Sequence, residues 1–312
     1  MRIIRTWHDV APQDRGAAVA LGNFDGVHRG HQAVIDLAQA TARAMAAPLG
    51  VITFEPHPRQ YFAPNAAPFR LMNAESRAHR LQKLGVARLY ELPFSADLAG
   101  MAAVAFGRDV LAAGLGIAQV VVGADFRFGK GRTGGAADLA AMGQTFGFGV
   151  TIADLVAENG TEISSTSIRA ALADGRPRDA AAMLGHWHRI DGAVVHGEKR
   201  GRLLGFPTAN MALDGLHQPR LGVYAVKVDV LSGPHQGSYH GAASLGTRPM
   251  FGGTLPNLES FLFDFTGDLY GVHLSVALVD YLRPELTFED LPALIAQIDQ
   301  DCARARAILA AE

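Results

Sequence analysis

The pattern of apolar residues changes part-way along the chain, and this change constrains the fold more than any other feature. Up to about residue 184, short apolar runs that suit β-strands alternate with longer segments of helical periodicity. Strands separated by helices predict parallel βαβ units and a doubly wound parallel sheet. Beyond that point strand-like runs follow one another between glycines and prolines, which predicts an antiparallel β-barrel. We therefore expect an α/β protein with two domains, residues 1–184 and 185–312.

The individual segments give the expected elements. In the first half the predicted strands are Ala17–Leu21, Leu49–Phe54, Ala87–Leu92, Gln119–Val122 and Gly149–Ala153. The predicted helices there are Gln32–Ala46, Glu75–Leu84, Asp97–Leu115 and Ala136–Phe146. In the second half the predicted strands are Trp187–Val195, Gly222–Val230, Tyr239–Leu245, Leu258–Phe265 and Val272–Tyr281. A long amphipathic helix, Phe288–Leu309, ends the chain, with Thr287 as its expected N-cap and Asp290 three residues later.

Composition narrows the environment in which the protein is expected to work. The 312 residues suffice for two domains that each bury a core. With 28 Lys and Arg against 30 Asp and Glu, the chain has no basic excess that would indicate a nucleic-acid partner. The single cysteine, Cys302, excludes an intrachain disulfide and favours a reducing compartment. No signal peptide or membrane-spanning run is recognisable, so we expect a cytoplasmic protein without a membrane partner, and homo-oligomerisation stays open.

The strongest local signal is the decapeptide GNFDGVHRGH at residues 22–31, which lies between a predicted strand and a predicted helix. Glycines let the backbone approach a phosphate, and the helix start offers free N–H groups and the positive end of its dipole. His28 and His31 form an H-x-G-H pattern whose imidazoles can donate hydrogen bonds to a triphosphate. The alternative is a pair of surface histidines in a turn. The residues of this loop that we predict to bind phosphate are Gly22, Phe24, Asp25, His28, Gly30 and His31.

Three later segments accompany this loop in the first half. They are TFEPHP at residues 53–58, GADFRFG at residues 123–129 and ISSTSIR at residues 163–169. In order and across the whole half, the four segments resemble the FMN adenylyltransferase module of bacterial riboflavin kinase/FAD synthetases, a branch of the nucleotidylyltransferase superfamily. The H-x-G-H loop alone would also fit an adenylyl- or cytidylyltransferase that acts on another phosphorylated substrate.

The resemblance implies that ATP lies across the two histidines and residues 164–169, and that the FMN phosphate attacks the α-phosphorus of ATP and expels pyrophosphate. Ser164, Ser165 and Thr166 can cap a helix and contact phosphate, and Arg169 would supply a fixed positive charge. Ordinary core packing remains the alternative for the aromatic residues near the expected flavin. The residues that we expect near the flavin are Phe54, Pro56, His57, Asp125 and Phe128.

A second glycine pattern in this half points to a different chemistry. Residues 129–134 spell G-x-G-x-x-G and precede a predicted helix. A dinucleotide-binding fingerprint should turn directly from the first strand, whereas this run follows a late strand after several residues. A loop rich in Gly, Lys and Arg beside the active site is the favoured interpretation. The sequence contains no P-loop motif, so a kinase in this chain must hold phosphate in another way.

In the second half a loop rich in Gly, Lys and Arg leads into the run Pro207-Thr208-Ala209-Asn210. Such a loop can cradle phosphates through backbone N–H groups and cationic side chains. Thr208 and Asn210 are two residues apart and would face the same side of an extended chain. Their hydroxyl and amide oxygens can ligate a hard cation such as Mg²⁺. The alternative is a solvated basic turn that is followed by an edge strand.

The G-x-P-T-A-N run at residues 205–210 resembles the hallmark of the riboflavin kinase domain, and GVYA (222–225), GTRP (246–249) and LRPE (282–285) agree with it. The resemblance implies that Glu259 is the general base for the ribityl 5′-hydroxyl, although a solvent-facing Glu259 is the alternative. It places Mg²⁺ on Thr208 and Asn210 and the flavin near Arg283, Glu285 and the final helix. The ATP-binding residues it implies are Gly197, Lys199, Gly201, Gly205, Pro207, Thr208 and Asn210.

Three positions depart from the pattern of the kinase family. Met250 replaces a usual threonine, Phe261 follows Glu259 where a histidine is typical, and His186 stands where the domain junction commonly has arginine. None of these changes removes an expected ligand or base. The favoured hypothesis is therefore a bifunctional enzyme that uses ATP to convert riboflavin to FMN and FMN to FAD. A flavin or nucleotide sensor that has lost catalysis is the alternative from a different functional class.

Overall fold

The computed structural model describes residues 1–154, 157–158, 161–196, 205–250 and 253–312. Its backbone forms two compact units. Unit 1 consists of residues 1–66 and 74–163, and unit 2 consists of residues 67–73 and 164–312. The domain boundary between residues 184 and 185 stays a prediction.

A parallel sheet of six strands forms the centre of unit 1, as the alternating pattern predicts. The strands of the unit are β1 (Arg2–Ile4), β2 (Ala18–Leu21), β3 (Leu49–Glu55), β4 (Arg88–Pro93), β5 (Gln119–Gly123), β6 (Arg127–Phe128), β7 (Gly134–Gly135), β8 (Gly149–Ala153), β9 (Ala157–Glu158) and β10 (Thr161–Glu162). The order in the sheet is β1-β4-β3-β2-β5-β8, and every neighbouring pair is parallel. β2 therefore lies where the strand order reverses, and ligands bind beyond the carboxyl ends of strands at such a point.

Helices connect these strands, and both faces of the central strands are buried. The helices are α1 (Arg29–Ala44), α2 (Pro58–Phe62), α3 (Ala74–Lys83), α4 (Ala96–Gly100), α5 (Ala103–Ala105) and α6 (Ala136–Phe146), with a π-helical segment at Phe106–Gly114 and 3₁₀ turns at Pro12–Asp14 and Lys130–Arg132. Val19, Val120 and Val121 are fully buried, which explains why the central strands have continuous apolar runs instead of alternating ones.

The single helix predicted over residues 97–115 is wrong, because the helical segment is interrupted after Gly100. Met101 has an extended backbone, and its carbonyl accepts a hydrogen bond of 2.8 Å from the backbone N–H of Lys130. A contact with a residue distant in sequence thus overrides local helical periodicity. The nearby G-x-G-x-x-G run connects the antiparallel pair β6 and β7, so it does not have the strand-to-helix geometry of a dinucleotide fingerprint.

Unit 2 contains a six-stranded antiparallel sheet that curls into a nearly closed barrel, which confirms the second prediction of fold class. Its elements are α7 (Ser165–Ala173), α8 (Pro177–Leu184), β11 (Arg189–Ala193), β12 (Ala209–Ala212), β13 (Gly222–Val230), β14 (Gly237–Met250), β15 (Gly253–Leu262), β16 (His273–Arg283) and α9 (Leu291–Ala310). The strand order is β11-β16-β13-β14-β15-β12. Val195, just after β11, donates its backbone N–H to the carbonyl of Asn210 at 2.8 Å and brings the two edges together.

The final helix covers one side of the barrel. Ala305 and Leu309 of α9 pack in a buried cluster with Ala225 and Val279 of the strands. The predicted N-cap Thr287 is wrong, because Asp290 caps the helix and accepts a hydrogen bond of 2.8 Å from the N–H of Ala293. Proline is favoured in the first turn of a helix, and the proline of this turn follows Leu291 directly, which agrees with the later start.

Candidate active sites

The loop after β2 has an unusual backbone that directs the chain into α1. Phe24, Gly26 and Val27 have positive φ angles of 52°, 85° and 44°. Glycine adopts this region freely, but a buried β-branched valine does so at an energetic cost that the surrounding structure must offset. Such strain is concentrated at functional sites, and here it lies where the strand order of the sheet reverses.

His28 and His31 are brought together at the start of α1. The Nδ1 atom of His28, the N-cap residue, accepts a hydrogen bond of 3.3 Å from the backbone N–H of His31. The two rings stack with 3.6 Å between centroids, and His28 is only 7% exposed. A Cβ on Gly30 would come within 3.2 Å of the His28 ring, so a glycine between the histidines relieves crowding against this ring.

Burial determines the protonation of His31. Desolvation, with a smaller effect from His28, holds the pKa of His31 well below its ordinary value. His31 is therefore a neutral imidazole near pH 7, and its buried Nδ1 atom has no hydrogen-bond partner among the residues that the structure describes. A neutral imidazole can still donate one N–H to an oxygen on phosphorus.

Two neighbouring strands bring further predicted residues to the same edge of the sheet. Phe54 lies near the end of β3, and a cis peptide bond joins the last residue of this strand to Pro56. His57 then caps α2 by accepting a hydrogen bond of 3.1 Å from the N–H of Arg59. Asp125 follows β5 and is exposed. Because β3, β2 and β5 are adjacent and parallel, their carboxyl ends form one ligand-binding edge.

The predicted flavin-binding aromatic residues also belong to the core of unit 1. Phe54 and Phe128 are 9% and 7% exposed, and their ring centroids lie 6.4 and 5.6 Å from that of Phe106. Phe126 was not among the predicted contacts, yet its ring stacks on Phe128 with 5.6 Å between centroids and stays partly exposed. Of these rings, Phe126 presents the most surface.

A buried ion-pair network that sequence reasoning missed supports the end of β3. Arg77 of α3 is fully buried and donates to Glu55 Oε2 at 2.9 Å and to Glu91 Oε2 at 3.1 Å. Arg5 adds a contact of 3.0 Å to Glu91. Glu55 directly precedes Pro56, so the network holds the strand end that carries the predicted flavin-binding segment. No sequence signal distinguishes Arg77 from Arg80, which lies in the same helix and is only partly buried.

The residues predicted to bind phosphate near residue 164 lie in unit 2 and form the start of α7. Ser164 is the N-cap, and its Oγ accepts a hydrogen bond of 3.2 Å from the N–H of Ser167. Ser165 and Thr166 occupy the first turn, where backbone N–H groups and the helix dipole favour an anion. Arg169 donates through Nε to the carbonyl of Phe69 at 2.6 Å. The predicted helix cap is thus confirmed at Ser164.

In the barrel, strand register assembles the second candidate site. Asn210 of β12 pairs directly with Glu259 of β15, although the two lie far apart in sequence. The hydroxyl of Thr208 donates to Glu259 Oε2 at 3.5 Å. The amide of Asn257, which sequence reasoning missed, donates to Asn210 Oδ1 at 3.2 Å and to Glu259 Oε1 at 3.4 Å. Glu259 therefore does not simply face solvent, because it is hydrogen bonded within a polar cluster.

Two cavities in unit 2 meet at Thr208. The larger has about 1030 Å³ of empty space, and Glu259, Arg283 and Glu285 form part of its wall. The smaller, of about 810 Å³, is bordered by Pro207, Thr208 and Asn210. Thr208 lines both cavities, so two ligands could approach each other there. Gly205 is exposed in a turn, while Gly197, Lys199 and Gly201 lie outside the described residues.

Arg283 is held against the final helix. Its guanidinium contacts the carboxylate of Asp301 through Nε at 2.9 Å and through a terminal nitrogen at 2.7 Å. Gln297 also donates to Asp301, at 3.1 Å. Asp301 and Cys302 of α9 lie on the wall of the larger cavity, next to which the final helix was predicted to lie. Burial, together with Asp301 and Asp299, raises the pKa of Cys302 to about 11, so this thiol stays protonated near pH 7.

The donor atoms at the junction of the cavities fit a magnesium ion. Thr208 offers a hydroxyl oxygen, Asn210 an amide oxygen and Glu259 a carboxylate, all of which are hard ligands. Over the described ranges, no group of three His, Cys, Asp or Glu side chains could hold a metal. Mg²⁺ usually relies on few protein oxygens, with phosphates and water completing its shell, so this set suits it.

Comparison with known proteins agrees with both halves of the sequence. A model of the family "FAD synthetase" matches residues 10–167, and a model of the family "Riboflavin kinase" matches residues 184–309. The Bifunctional riboflavin kinase/FMN adenylyltransferase of Escherichia coli K12 is 41% identical, over 98% of this chain and 97% of that protein. A protein of the same name from Pseudomonas fluorescens is 40% identical, over 99% of this chain and 98% of that protein.

A solved structure is similar along nearly the whole chain. It is the crystal structure of a protein from Streptococcus pneumoniae described as a macrolide-efflux protein, with a TM-score of 0.83 and 33% identity over 96% of both chains. Within the part of this chain that the structure describes, no helix is long and apolar enough to cross a membrane.

Proposed function

We propose how the residues of this chain, which belongs to the family of bifunctional riboflavin kinase/FMN adenylyltransferases, divide between the two reactions of that family. The chain phosphorylates riboflavin with ATP to give FMN, and it transfers an adenylyl group from ATP to FMN to give FAD and pyrophosphate. Enzymes of these families use flavins and ATP as substrates and generally require Mg²⁺.

For the phosphorylation of riboflavin, Glu259 is the general base. A carboxylate oxygen takes the proton of the ribityl 5′-hydroxyl, the freed oxygen attacks the γ-phosphorus, and ADP leaves. The observation that carries this assignment is the pairing of Asn210 with Glu259 beside Thr208, where the two cavities meet. Riboflavin would occupy the larger cavity, against Arg283 and Glu285, and ATP the smaller one. Thr208 and Asn210 would hold Mg²⁺, which neutralises phosphate charge.

For adenylyl transfer, no side chain needs to remove a proton, because the attacking FMN phosphate is already ionised. Its oxygen attacks the α-phosphorus, and the bond to pyrophosphate breaks. His28 and His31 donate hydrogen bonds to the charge that develops on the phosphate oxygens. The neutral state of His31, a consequence of its burial, lets it act as a donor without binding a proton first. Arg169 and the N-terminus of α7 supply further positive charge to the triphosphate.

The remaining residues of the first site are proposed to surround substrate. Phe54, Pro56, His57, Asp125 and Phe128 would form the flavin side, because they lie at the strand ends beside the histidine loop. Riboflavin, FMN and ATP are the substrates of the chain. We further propose a cytoplasmic location, without nucleic-acid or membrane partners, which the single cysteine and the balanced charge support.

Separating the two reactions by mutation tests these assignments. Purified protein is incubated with riboflavin, ATP and Mg²⁺, and the flavins are resolved by chromatography over time. The unchanged protein should form FMN and then FAD. Glu259→Gln should lose at least a hundredfold in FMN formation, the usual scale of general-base catalysis, yet convert supplied FMN to FAD. The double variant His28→Ala/His31→Ala should stop at FMN.

Two matched variants serve as controls. Asp229→Asn removes another barrel carboxylate, one that pairs with Arg189, and His79→Ala removes an exposed histidine of α3. Both should retain both activities within about twofold, as is usual for surface positions. If Glu259→Gln still formed FMN at the rate of the unchanged protein, Glu259 would not be the general base. If the unchanged protein bound flavin but formed neither FMN nor FAD, the result would favour the alternative of a non-catalytic flavin sensor.

A further inference from the structure

The loop of residues 213–221, which connects β12 and β13 of the barrel, also holds residues from earlier in the chain. Leu216 forms a parallel β-bridge with Arg70, and the backbone N–H of His217 donates to the carbonyl of Arg70 at 2.8 Å. Segment 67–73 therefore packs with the barrel, in unit 2, although its neighbours in sequence belong to unit 1. A loop of the kinase half thus supports residues of the adenylyltransferase half.

The side chain of His217 contacts helix α7 directly. Its Nε2 atom lies 3.0 Å from the carbonyl oxygen of Arg169, and because that oxygen can only accept, the ring nitrogen must donate. The Arg169 side chain in turn donates through Nε to the carbonyl of Phe69, with its guanidinium 5.4 Å from the Phe69 ring centre. These contacts close a ring of interactions from His217 to Arg70, Phe69, Arg169 and back to His217.

The same barrel loop also fixes the far end of α7. Arg220 donates its backbone N–H to the carbonyl of Leu172 at 2.9 Å. Gly175, in the turn after the helix, has a φ of +74°, and a Cβ there would lie 2.8 Å from Arg220 and 3.3 Å from Tyr281. On its inner face α7 buries Ile168 and Leu172 against neighbouring apolar residues of unit 2. The helix is therefore held firmly along its length. His217 contacts Arg169, the residue of this helix that is proposed to supply positive charge to the triphosphate.

We propose that His217, a residue of the kinase half, is a positioning residue for adenylyl transfer, because its imidazole orients Arg169 toward the triphosphate of ATP. This inference rests on the proposed role of Arg169 in binding that triphosphate. His217 itself touches no substrate. It fixes the position of the Arg169 backbone, from which the side chain extends, and the carbonyl of Phe69 then holds the guanidinium in that direction. The apparent affinity for ATP in FAD formation thus depends on a histidine that riboflavin phosphorylation does not use.

The experiment compares His217→Ala with His217→Gln in the full chain and measures both reactions separately. The Gln amide nitrogen can take the place of Nε2 as a donor. His217→Ala should raise KM for ATP in FAD formation about fivefold, the effect of one lost hydrogen bond, with a smaller change in kcat. His217→Gln should stay within about twofold of the unchanged protein. Riboflavin phosphorylation should change less than twofold in both variants, as it should in the exposed neighbour Gln218→Ala.

A double-mutant cycle with Arg169→Ala identifies the route of the effect. If His217 acts through Arg169, His217→Ala should cause no further change in the Arg169→Ala background. Additive losses, an equal loss in riboflavin phosphorylation, or no loss in His217→Ala would each overturn the inference while leaving the role of Arg169 intact. If Arg169→Ala itself forms FAD within twofold of the unchanged protein, the proposed function of Arg169 fails, and the positioning role of His217 fails with it.

Discussion

The two candidate active sites are assembled in different ways. In the adenylyl-transfer site, His28 and His31 lie within one loop and the first turn of α1, where a helix cap and ring stacking hold them. In the phosphoryl-transfer site, Thr208 and Asn210 meet Glu259 only because β12 pairs with β15, and Arg283 is held by Asp301 of α9. The first arrangement is local in sequence, whereas the second depends on contacts between distant segments.

This difference has a consequence for stability. A group held by its own helix turn keeps its geometry as long as the turn forms, because capping and neighbouring residues act within a few positions. A group held by strand register and by a distant helix keeps its geometry only while the whole barrel is intact. We therefore expect the phosphoryl-transfer site to be the more sensitive of the two to changes outside its own motif.

The largest effect is expected from Asp301→Asn, which removes the carboxylate partner of Arg283. Breaking a largely buried ion pair leaves a guanidinium uncompensated, so the free energy of unfolding of unit 2 should fall by about 3 kcal/mol. The KM for riboflavin should rise, and conversion of supplied FMN to FAD should stay within twofold. Urea unfolding in a Trp7→Phe background measures the change, since Trp187 is then the only tryptophan.

The matched control for this prediction lies on the same helix. Arg306 of α9 pairs with the exposed Asp264 at 2.7 Å, and Asp264→Asn should leave the unfolding free energy almost unchanged, because solvent screens this pair. If Asp301→Asn and Asp264→Asn lowered the free energy of unfolding equally, burial of the Arg283–Asp301 pair would add no stability. The expected sensitivity of the phosphoryl-transfer site would then be wrong.

The next prediction separates two roles of His28 in the adenylyl-transfer site, namely capping helix α1 and donating a hydrogen bond to the reacting phosphate. An asparagine at position 28 can still cap α1, but it lacks the imidazole ring. We expect His28→Asn to reduce FAD formation about a hundredfold, as for a lost donor to a developing oxyanion, and to change the stability of unit 1 by less than about 1 kcal/mol. Steady-state rates give the loss in FAD formation, and unfolding followed through Trp7 gives the change in the stability of unit 1. With His79→Asn as the control, an unchanged rate in His28→Asn would rule out a catalytic ring at this position.

A smaller effect is expected from Asn257→Ala. The amide of Asn257 joins Asn210 to Glu259, so its loss should misalign the cation ligand and the base. Riboflavin phosphorylation should fall about tenfold, the value of one or two hydrogen bonds, while FAD formation from FMN is unchanged. Gln236→Ala removes an exposed amide from another loop of the barrel and is the control. A loss of both activities in Asn257→Ala would indicate general unfolding instead of local misalignment.

The last effect, about as large as that of Asn257→Ala, concerns the pH dependence of unit 2. Burial, with added repulsion from His217 and His186, lowers the pKa of His188 to about 3. The unfolded chain binds a proton at this residue near pH 6.5 and the folded chain does not, so stability is full above pH 6.5 and is lost as the pH falls below it. Between pH 7.5 and 5.5 the unfolding free energy should fall by about 1.4 kcal/mol from this residue.

The variant His188→Gln tests this assignment, because it cannot titrate. Urea unfolding of the Trp7→Phe protein at both pH values should show a dependence that is smaller by that amount in His188→Gln. An unaltered dependence would mean that other groups carry the acid sensitivity of unit 2. In unit 1, the partly buried His31 should contribute a loss of the same sign, because its pKa is also lowered.

Sequence reasoning succeeded where the determinants are local. The strand and helix around the H-x-G-H loop, the cap at Ser164 and the barrel strands other than β12 follow from periodicity and short motifs. It failed where distant contacts decide, as at Met101, whose carbonyl bonds to Lys130 and interrupts a periodic helix. No local sequence pattern identifies Arg77, Asn257 or Asp301 as important, because their partners lie far away along the chain.

The amino-acid sequence by itself determined the two fold classes and their order, because hydrophobic periodicity and glycine-rich turns act over short distances. The residues proposed for both reactions were predicted from the resemblance of short motifs to a known family. Only the tertiary structure decided that Glu259 lies opposite Asn210, that Arg283 is held by Asp301, and that His217 contacts Arg169. Register and packing are set by the simultaneous burial of many side chains, and no single segment contains that information.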